Sequence, residues 1–217
     1  MSQYLPFLTT QALRPFARFF PDMLWRKESE PGEKVAYLTF DDGPTPEMTI
    51  DLLRLLASFG VPATWFMIGA HMRARPDLAH EIIDRGHSTG NHTLTHPDAW
   101  ITPVERIREE LYLTSELIEQ FTGKPPRLMR PPYGHFTGAM RHWCQANGHE
   151  MVMWDVMPGD FLPTATTEAM VTHIARTIRP GSIIVLHDNP VAHELTLGAL
   201  RQLLPTLLAE GWTFKPL

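Results

Sequence analysis

The sequence has a single cysteine, Cys144, among its 217 residues. One thiol excludes an internal disulfide and any metal site built from several cysteines. Cys144 falls within a stretch of helical spacing, so we expect a packed or chemically idle thiol.

Long apolar runs and long basic runs are also missing. No stretch of about 18 apolar residues occurs, so no segment is predicted to span a membrane. The formal net charge is −5, and nucleic acid is therefore not an expected partner. The first residues lack a basic segment followed by an unbroken apolar core, the mark of a secretory signal. We therefore expect a cytoplasmic protein, or one peripheral to the inner face of the membrane.

Residues 1–33 are predicted to form an apolar, helical extension. Its aromatic and leucine side chains are interrupted by Pro6, Pro15 and Pro21, which favours short helical turns over one long helix. We expect these turns to cover the bottom of the domain. Weak contact with a membrane surface is the alternative. Nothing in the sequence indicates an oligomeric state.

Residues 34–217 are predicted to form one α/β domain. The chain is 43% hydrophobic and 20% charged, which suits a sizeable core. Buried apolar runs alternate with helical patterns, an order typical of a parallel sheet covered by helices. Six to seven such units favour a distorted (β/α) barrel; a flat doubly wound sheet is the alternative. Pro205, inside the last helical pattern, predicts a kink or a break.

Polar residues follow the ends of the predicted strands. They are Asp41 and Asp42 after the first strand, His92 and His96 after the third, Arg130 and Tyr133 after the fourth, Asp160 after the fifth and His187 at the end of the sixth. Because α/β folds place their chemistry at the carboxyl ends of parallel strands, we expect these side chains to share one site.

His92 and His96 are four residues apart, and one helical turn would aim both imidazoles the same way. With a carboxylate from Asp41 or Asp42 they make a two-histidine, one-carboxylate set. Three protein ligands leave positions open for water and substrate, as in catalytic metal sites. Zinc is the first choice. The same set also serves iron(II) oxygenases, so an oxidative enzyme is the rival interpretation.

Four stretches resemble motifs of the polysaccharide deacetylase family, carbohydrate esterase family 4, whose core is the NodB homology domain. They are residues 39–44 (Thr-Phe-Asp-Asp-Gly-Pro), 92–96 (His-Thr-Leu-Thr-His), 130–134 (Arg-Pro-Pro-Tyr-Gly) and 186–188 (Leu-His-Asp). The resemblance covers about residues 34–217. It implies a distorted barrel and metal-dependent removal of N-acetyl groups from amino sugars such as N-acetylglucosamine.

The resemblance also implies a role for each residue. Asp42, His92 and His96 would hold one divalent ion, with cobalt, nickel and iron as alternatives to zinc. Asp41 would be the general base, oriented by Arg130, and the backbone N–H of Tyr133 would stabilise the oxyanion. His187 would protonate the departing amine while Asp160 holds its other ring nitrogen. Substrate contacts are expected from Pro132, Tyr133, Trp154, Phe161 and Leu186.

Residues 157–161 depart from the family pattern of two aspartates three apart followed by an aromatic residue. Met157 replaces the first aspartate, whereas Asp160 and Phe161 fill the other two positions. The partner of His187 is retained, so catalysis should survive with altered substrate contacts near Met157. A related amidase acting on a non-sugar amide and a catalytically idle glycan-binding module are the alternative functions.

Overall fold

A computed structural model describes residues 14–217. The strands are β1 (Val35–Asp42), β2 (Thr64–Met67), β3 (Ser88–Asn91), β4 (Leu128–Met129), β5 (Glu150–Met151), β6 (Ile183–His187) and β7 (Thr213–Phe214). The α-helices are α1 (Met48–Phe59), α2 (Gly69–Ala74), α3 (Pro76–Asp84), α4 (Val104–Thr122), α5 (Gly138–Ala146), α6 (Thr167–Thr177) and α7 (His193–Ala209). Short 3-10 turns cover Ala17–Phe19 and Pro132–Gly134.

The strands form one curled parallel sheet in the order β5-β4-β3-β2-β1-β6, and β7 pairs with the start of β1. Between the outer strands β5 and β6 lie isolated bridges, from Leu24 to Val152 and from Val156 to Ile184. The predicted distorted barrel of parallel strands in a single α/β domain is therefore confirmed. The boundary between residues 1–33 and 34–217 stays a prediction, and residues 1–13 lie outside the described range.

Alternate residues of β1 supply two different cores. Ala36, Leu38 and Phe40 pack outward against the helices. Val35 and Tyr37 point to the inner face. Since successive side chains of a strand face opposite sides, a strand covered on both faces is expected to be apolar on both, as residues 35–38 are. Burial of both faces fixes the register and so the position of the polar residues where the strand ends.

Several helix ends follow from local sequence signals. Gly60 ends α1 with φ of 65°, a left-handed conformation that costs glycine little. At the start of α5 the hydroxyl of Thr137 accepts a hydrogen bond from the N–H of Met140. Thr166 does the same for Ala169 at the start of α6. These caps satisfy backbone groups that the helix itself leaves without partners.

Three details of the elements do not follow from the sequence patterns. Helix α2 begins two residues after the end of β2. Helix α7 runs unbroken through Pro205, which is exposed, so water can reach the carbonyl that loses its donor. β5 is only two residues long, because the chain after it leaves the sheet to form the bridges to residues 24 and 184. None of the described helices is both long and apolar enough to cross a bilayer.

Candidate metal centre and active site

Six of the polar residues predicted at the strand ends line one cavity of about 310 Å³. The other two, Arg130 and Asp160, are buried and pair with Asp41 and His187. The lining of the cavity comprises Asp41, Asp42, His92, His96, Tyr133, Gly134, Trp154, Met157, Phe161, Val185, His187 and Asn189. Charged and imidazole groups lie beside apolar side chains in this cavity, a combination typical of sites that bind and transform a small group.

Asp42, His92 and His96 form a group that could hold a metal ion, with one ligand atom of each lying within 4.8 Å of the others. Oδ1 of Asp42 lies 3.6 Å from Nε2 of His92 and 3.3 Å from Nε2 of His96. Ligand bonds of 2.0–2.1 Å around a tetrahedral ion place neighbouring ligand atoms about 3.4 Å apart. The two separations therefore suit a tetrahedral site.

The hydrogen bonds of His92 agree with a ligand role. Its Nδ1–H donates to the backbone carbonyl of Arg130 over 2.8 Å, which leaves the lone pair of Nε2 facing Asp42 and matches the way metal-binding imidazoles are usually oriented. Burial, followed by the neighbouring His92, lowers the pKa of His96 to about 4. A neutral ring at His96 can bind a cation at neutral pH.

The two histidines are not brought together by a helical turn, as their spacing had suggested. Residues 92–96 form a loop in which Thr93 and His96 have φ of 66° and 61°, a region that few non-glycine residues adopt. Fully buried Glu110 of α4 holds this loop by accepting hydrogen bonds from the N–H and the hydroxyl of Thr95, at 2.6 and 2.8 Å. The strained loop places the rings 5.0 Å apart.

Asp42 is held in one orientation by neighbours on other elements. Its φ of 77° is left-handed, and the Nδ1–H of His71 donates to its carbonyl over 2.8 Å. Nδ2 of Asn189 donates to Oδ2 over 2.7 Å. Burial opposes its ionisation, but the neighbouring rings of His92 and His187 and the Asn189 amide together hold the pKa of Asp42 well below its usual value.

Asp41 forms a buried ion pair with Arg130, whose Nη1 lies 2.7 Å from Oδ1. Arg130 is completely buried and also donates to Oγ1 of Thr39 and to the carbonyls of Val152 and Met153. Its guanidinium carbon lies 4.1 Å from the ring centre of Phe66. This many partners offset the cost of burying the charge, and they leave Asp41 little freedom to rotate.

His187 and Asp160 form the second buried pair. Nδ1–H of His187 donates to Oδ1 of Asp160 over 2.8 Å, and the backbone N–H of His187 and the hydroxyl of Thr196 donate to Oδ2, each over 2.8 Å. Burial works against the charged imidazole, but the carboxylate of Asp160 outweighs it and raises the pKa of His187 to about 9. His187 is thus a protonated acid at neutral pH.

The cavity wall differs in part from the expected one. Tyr133, Trp154 and Phe161 line it, and the ring of Phe161 meets His187 edge-on at 5.2 Å. Leu186 instead packs into the outer core beneath the helices, and Val185 lines the cavity in its place. This correction follows from the two-residue period of a strand: the side chain on the same side as His187 is two positions away, not one.

Pro132 is buried and is not among the residues that line the cavity. Met157, which stands where the family pattern has an aspartate, does line it. Asn189 is a site residue that the sequence patterns missed. The only signal was its position directly after the motif at residues 186–188, since a lone asparagine in a turn usually indicates a local backbone cap.

Asp188 serves the fold rather than the cavity. Its carboxylate accepts hydrogen bonds from the hydroxyls of Thr45 and Thr49 and from the indole of Trp65. A Cβ atom at Gly43 would overlap this carboxylate, so the turn after β1 requires glycine there. Burial raises the pKa of Asp188 to about 6. The carboxylate therefore ties the turn after β1 and the first turn of α1 to β2 and to the end of β6.

Comparison with known proteins agrees with this geometry. Residues 28–152 match the family model described as polysaccharide deacetylase. The chain is 33% identical to a peptidoglycan-N-acetylglucosamine deacetylase of Bacillus cereus, over 88% of this chain and 95% of the relative. It is 34% identical to a chitooligosaccharide deacetylase of Bradyrhizobium, over 86% of this chain and 90% of the relative.

A solved structure shares the whole architecture. It is a peptidoglycan N-acetylglucosamine deacetylase in complex with 4-naphthalen-1-yl-N-oxidanyl-benzamide. The TM-score is 0.84 and the sequence identity 26%, with 90% of this chain and 91% of that chain covered. The similarity therefore extends over nearly the full length of both chains.

Proposed function

Since the chain belongs to the polysaccharide deacetylase family, whose members are hydrolases of carbon–nitrogen bonds other than peptide bonds, we propose that it removes N-acetyl groups from N-acetylglucosamine units of a glycan or oligosaccharide. The observation that carries the proposal is one cavity bordered by a metal-ligand set, a buried Asp41–Arg130 pair and a buried His187–Asp160 pair. The reaction yields acetate and a free amino sugar.

We assign Asp42, His92 and His96 as the ligands of a divalent ion, with zinc as the first choice because one carboxylate and two imidazoles suit it. When bound there, such an ion polarises the amide carbonyl and lowers the pKa of a water molecule. The Asn189 amide and the Arg130 carbonyl keep the carboxylate and the ring of His92 turned toward the common point.

Asp41 is the proposed general base. It lies next to Asp42 in sequence but is bound to Arg130 rather than to the histidines, so its carboxylate is available for a proton. It takes that proton from the water that attacks the amide carbon. The new C–O bond turns the carbonyl oxygen into an oxyanion, for which the backbone N–H of Tyr133 is the proposed donor. Tyr133 has φ of 59°, which bends the backbone at the cavity.

His187 is the proposed general acid. Its Nδ1 is bound to Asp160, so Nε2 is the atom that gives a proton to the amine nitrogen as the C–N bond breaks. A raised pKa keeps that proton in place at neutral pH. Val185, Trp154 and Phe161 supply apolar surface in the same cavity, which suits the methyl group of the acetamide and excludes bulk water from it.

Acetate release from chitooligosaccharides and from peptidoglycan fragments tests the proposal, with and without a chelator. We expect release that stops on chelation and returns with zinc, and a loss of at least 100-fold in kcat for Asp41→Asn, in line with removal of a general base. Release indifferent to both treatments would contradict the mechanism.

The same assay separates the alternatives. Metal-dependent hydrolysis of simple amides, with every acetylated sugar refused, would favour a related amidase on a non-sugar substrate. Sugar binding without turnover in the metal-loaded protein would favour an idle glycan-binding module. The presence of Asp41 and His187 in the cavity together with all three metal ligands favours the enzyme.

A further inference from the structure

A second cavity, of about 270 Å³, lies at the opposite end of β6 from the catalytic site. Asp155 on its wall accepts a hydrogen bond from the N–H of Ile183, the first residue of β6, over 3.0 Å. His187, at the catalytic site, is the last residue of that strand. Trp154 borders both cavities. We call the second cavity the arginine pocket, because three of the residues that line it are arginines.

The charges on the wall of the arginine pocket do not balance. Arg14, Arg26 and Arg179 bring three positive charges, and Asp155 is the one acidic residue among those that line the pocket. Two positive charges are therefore left over. Burial, followed by the charge of Arg179 and more weakly that of Arg26, lowers the pKa of Arg14, and Asp155 opposes this only in part. Because a guanidinium keeps its charge in a folded protein, the excess stays in the pocket and attracts an anion.

The carboxylate of Asp155 is already engaged by other donors. Its Oδ2 accepts a hydrogen bond from Nε of Arg179 over 3.0 Å, and its Oδ1 accepts the N–H of Ile183. Nη2 of Arg14 lies 3.9 Å from Oδ2, which is too far for a hydrogen bond. Among the residues that the structure describes, neither Arg14 nor Arg26 therefore has a carboxylate within hydrogen-bond distance.

Backbone carbonyls hold two of the three guanidinium groups in place. Nη2 of Arg14 donates to the carbonyl of Thr177 at the end of α6, and Nη1 of Arg26 donates to the carbonyl of Pro180 over 2.7 Å. Nε of Arg14 and Nε1 of Trp154 are buried and have no hydrogen-bond partner within residues 14–217, although buried donors normally have one. Water supplies an acceptor but no charge, whereas an anion supplies both.

We propose that the arginine pocket binds a phosphate group. Arginine forms paired hydrogen bonds with phosphate oxygens, and the three guanidinium groups come from separate segments, so they can approach different oxygens of a tetrahedral anion. A phosphate monoester carries about 1.5 to 2 negative charges at neutral pH, which matches the charge left over, whereas a carboxylate carries one. The pocket lies apart from the catalytic residues, so the inference does not depend on the proposed deacetylase function.

The phosphate group can come from two sources, a small phosphate in solution or the headgroup of phosphatidic acid in a membrane. Ala17 on the wall of the pocket begins the 3-10 turn whose last residue, Phe19, is 71% exposed. An exposed aromatic side chain beside a phosphate site suits a lipid surface. Both sources are therefore tested.

Calorimetric titration of the zinc-loaded full chain with inorganic phosphate, at fixed ionic strength, tests the site. We expect saturable binding whose affinity falls about 10- to 100-fold in Arg26→Gln and in Arg14→Gln, as for the loss of one hydrogen-bonded charge. Arg26 is exposed, so its variant should fold even if Arg14→Gln does not. Arg127→Gln is the matched control, since Arg127 is also exposed but lies outside the pocket, and it should keep the wild-type affinity.

Equal phosphate affinities in the wild type, Arg26→Gln and Arg14→Gln would overturn the proposal, since any bound phosphate would then lie elsewhere, for instance on the zinc ion. An equal loss in Arg127→Gln would do the same, because it would reflect the net charge of the chain. Acetate should bind about tenfold more weakly than phosphate. Equal binding of the two anions would contradict the match to a doubly charged ligand.

Sedimentation of vesicles of phosphatidic acid and phosphatidylcholine identifies the source. If the headgroup is the ligand, more of the wild type and of Arg127→Gln should pellet than of Arg26→Gln, and inorganic phosphate should release the bound protein. If the ligand is a soluble phosphate, the three proteins should pellet equally while their calorimetric affinities differ. Binding of neither form would overturn the proposal. Neither measurement uses acetate release, so failure of the deacetylase proposal would leave this result unaffected.

Discussion

The side-chain amide of Asn189 has its orientation fixed from both ends and presents its N–H to Asp42. Its Oδ1 accepts hydrogen bonds from the backbone N–H groups of Val191 and Ala192, each over 3.0 Å. Nδ2 is therefore the group that faces Oδ2 of Asp42, at 2.7 Å. The loop after β6 thus helps to orient the carboxylate at the end of β1.

Asn189→Leu should weaken zinc binding by about 10- to 100-fold, the usual effect of losing a group that orients a metal ligand. The reason is that Asp42 would lose the donor that directs its Oδ1 toward the two imidazoles. Competition with a chromophoric chelator measures the affinity of the metal-free protein without reference to activity. Gln202→Leu, an exposed change on α7, is the control. Unchanged zinc affinity in Asn189→Leu would contradict the role given to Asn189.

Arg130→Met should lower the free energy of unfolding by about 3–5 kcal/mol, because it leaves the buried carboxylate of Asp41 without its cation. Adding Asp41→Leu removes the unpaired charge, so the double variant should regain part of the stability while remaining inactive. Urea denaturation supplies the measurement. Arg127→Met is the matched control, since Arg127 is exposed, and it should change stability by less than about 0.5 kcal/mol. A double variant no more stable than Arg130→Met would count against the ion-pair explanation.

Asp160→Asn should move the alkaline limb of the kcat/KM profile to lower pH. Burial lowers the pKa of His187, but Asp160 and, after it, Asp41 and Asp42 raise this pKa from 6.5 to about 9. A general acid loses its proton, and the rate falls, as the pH rises through this pKa. Without the carboxylate of Asp160 the pKa of His187 is lower, so kcat/KM begins to decrease at a lower pH. Measuring kcat/KM between about pH 6 and 10 locates the alkaline limb. Glu168→Gln, a change at an exposed residue, is the control and should leave the limb where it is in the wild type. An alkaline limb at the same pH in Asp160→Asn and in the wild type would argue against His187 as the general acid.

His87→Gln should flatten the acid side of the stability profile. Burial lowers the pKa of His87 from 6.5 to about 4, and its Nδ1 accepts the N–H of Ala63 over 3.1 Å. Between those two pH values the unfolded chain binds the extra proton, so stability is complete above pH 6.5 and falls as the pH drops toward 4. Because His87 is partly exposed, we expect this protonation to lower the free energy of unfolding by about 1–2 kcal/mol. Thermal unfolding measured at several pH values between 4 and 6.5 shows how steeply the stability changes with pH.

Glutamine keeps an acceptor for Ala63 but has no proton to gain in that range, so His87→Gln should lose less stability on acidification than the wild type. His142→Gln, at an exposed histidine, should follow the wild-type curve. Parallel curves for the wild type and His87→Gln would show that acid sensitivity arises elsewhere.

Peripheral contact with the inner face of a membrane stays a proposal for the N-terminal segment. Phe16 and Phe19 are 43% and 71% exposed and flank the exposed Arg18, a combination that suits weak binding to anionic lipid. When phosphatidylglycerol vesicles are sedimented, part of the wild-type protein should pellet with them, and a smaller fraction of Phe19→Ser should do so. Val191→Ser removes an equally exposed apolar residue elsewhere (70%) and should have no effect. Equal sedimentation of both variants would count against the contact.

The sequence by itself determined the fold class and most of the site. Apolar runs such as the one beginning at Val35 must be covered on both faces, so their alternation with helices leaves few options besides a parallel sheet with helices outside. The carboxyl ends of such strands meet at one edge. Residues as far apart in the chain as Asp41, His92 and His187 are therefore predicted to lie close together, and they line one cavity.

Only the tertiary structure decided which atoms face each other. The pairing of His92 with His96 depends on left-handed residues held by Glu110 from another element, and no local pattern encodes that contact. Asn189 meets Asp42 because β1 and β6 are neighbours in the sheet. The orientation of side chains at a site depends on contacts between residues far apart in the chain, and the spacing of residues in the sequence does not predict those contacts.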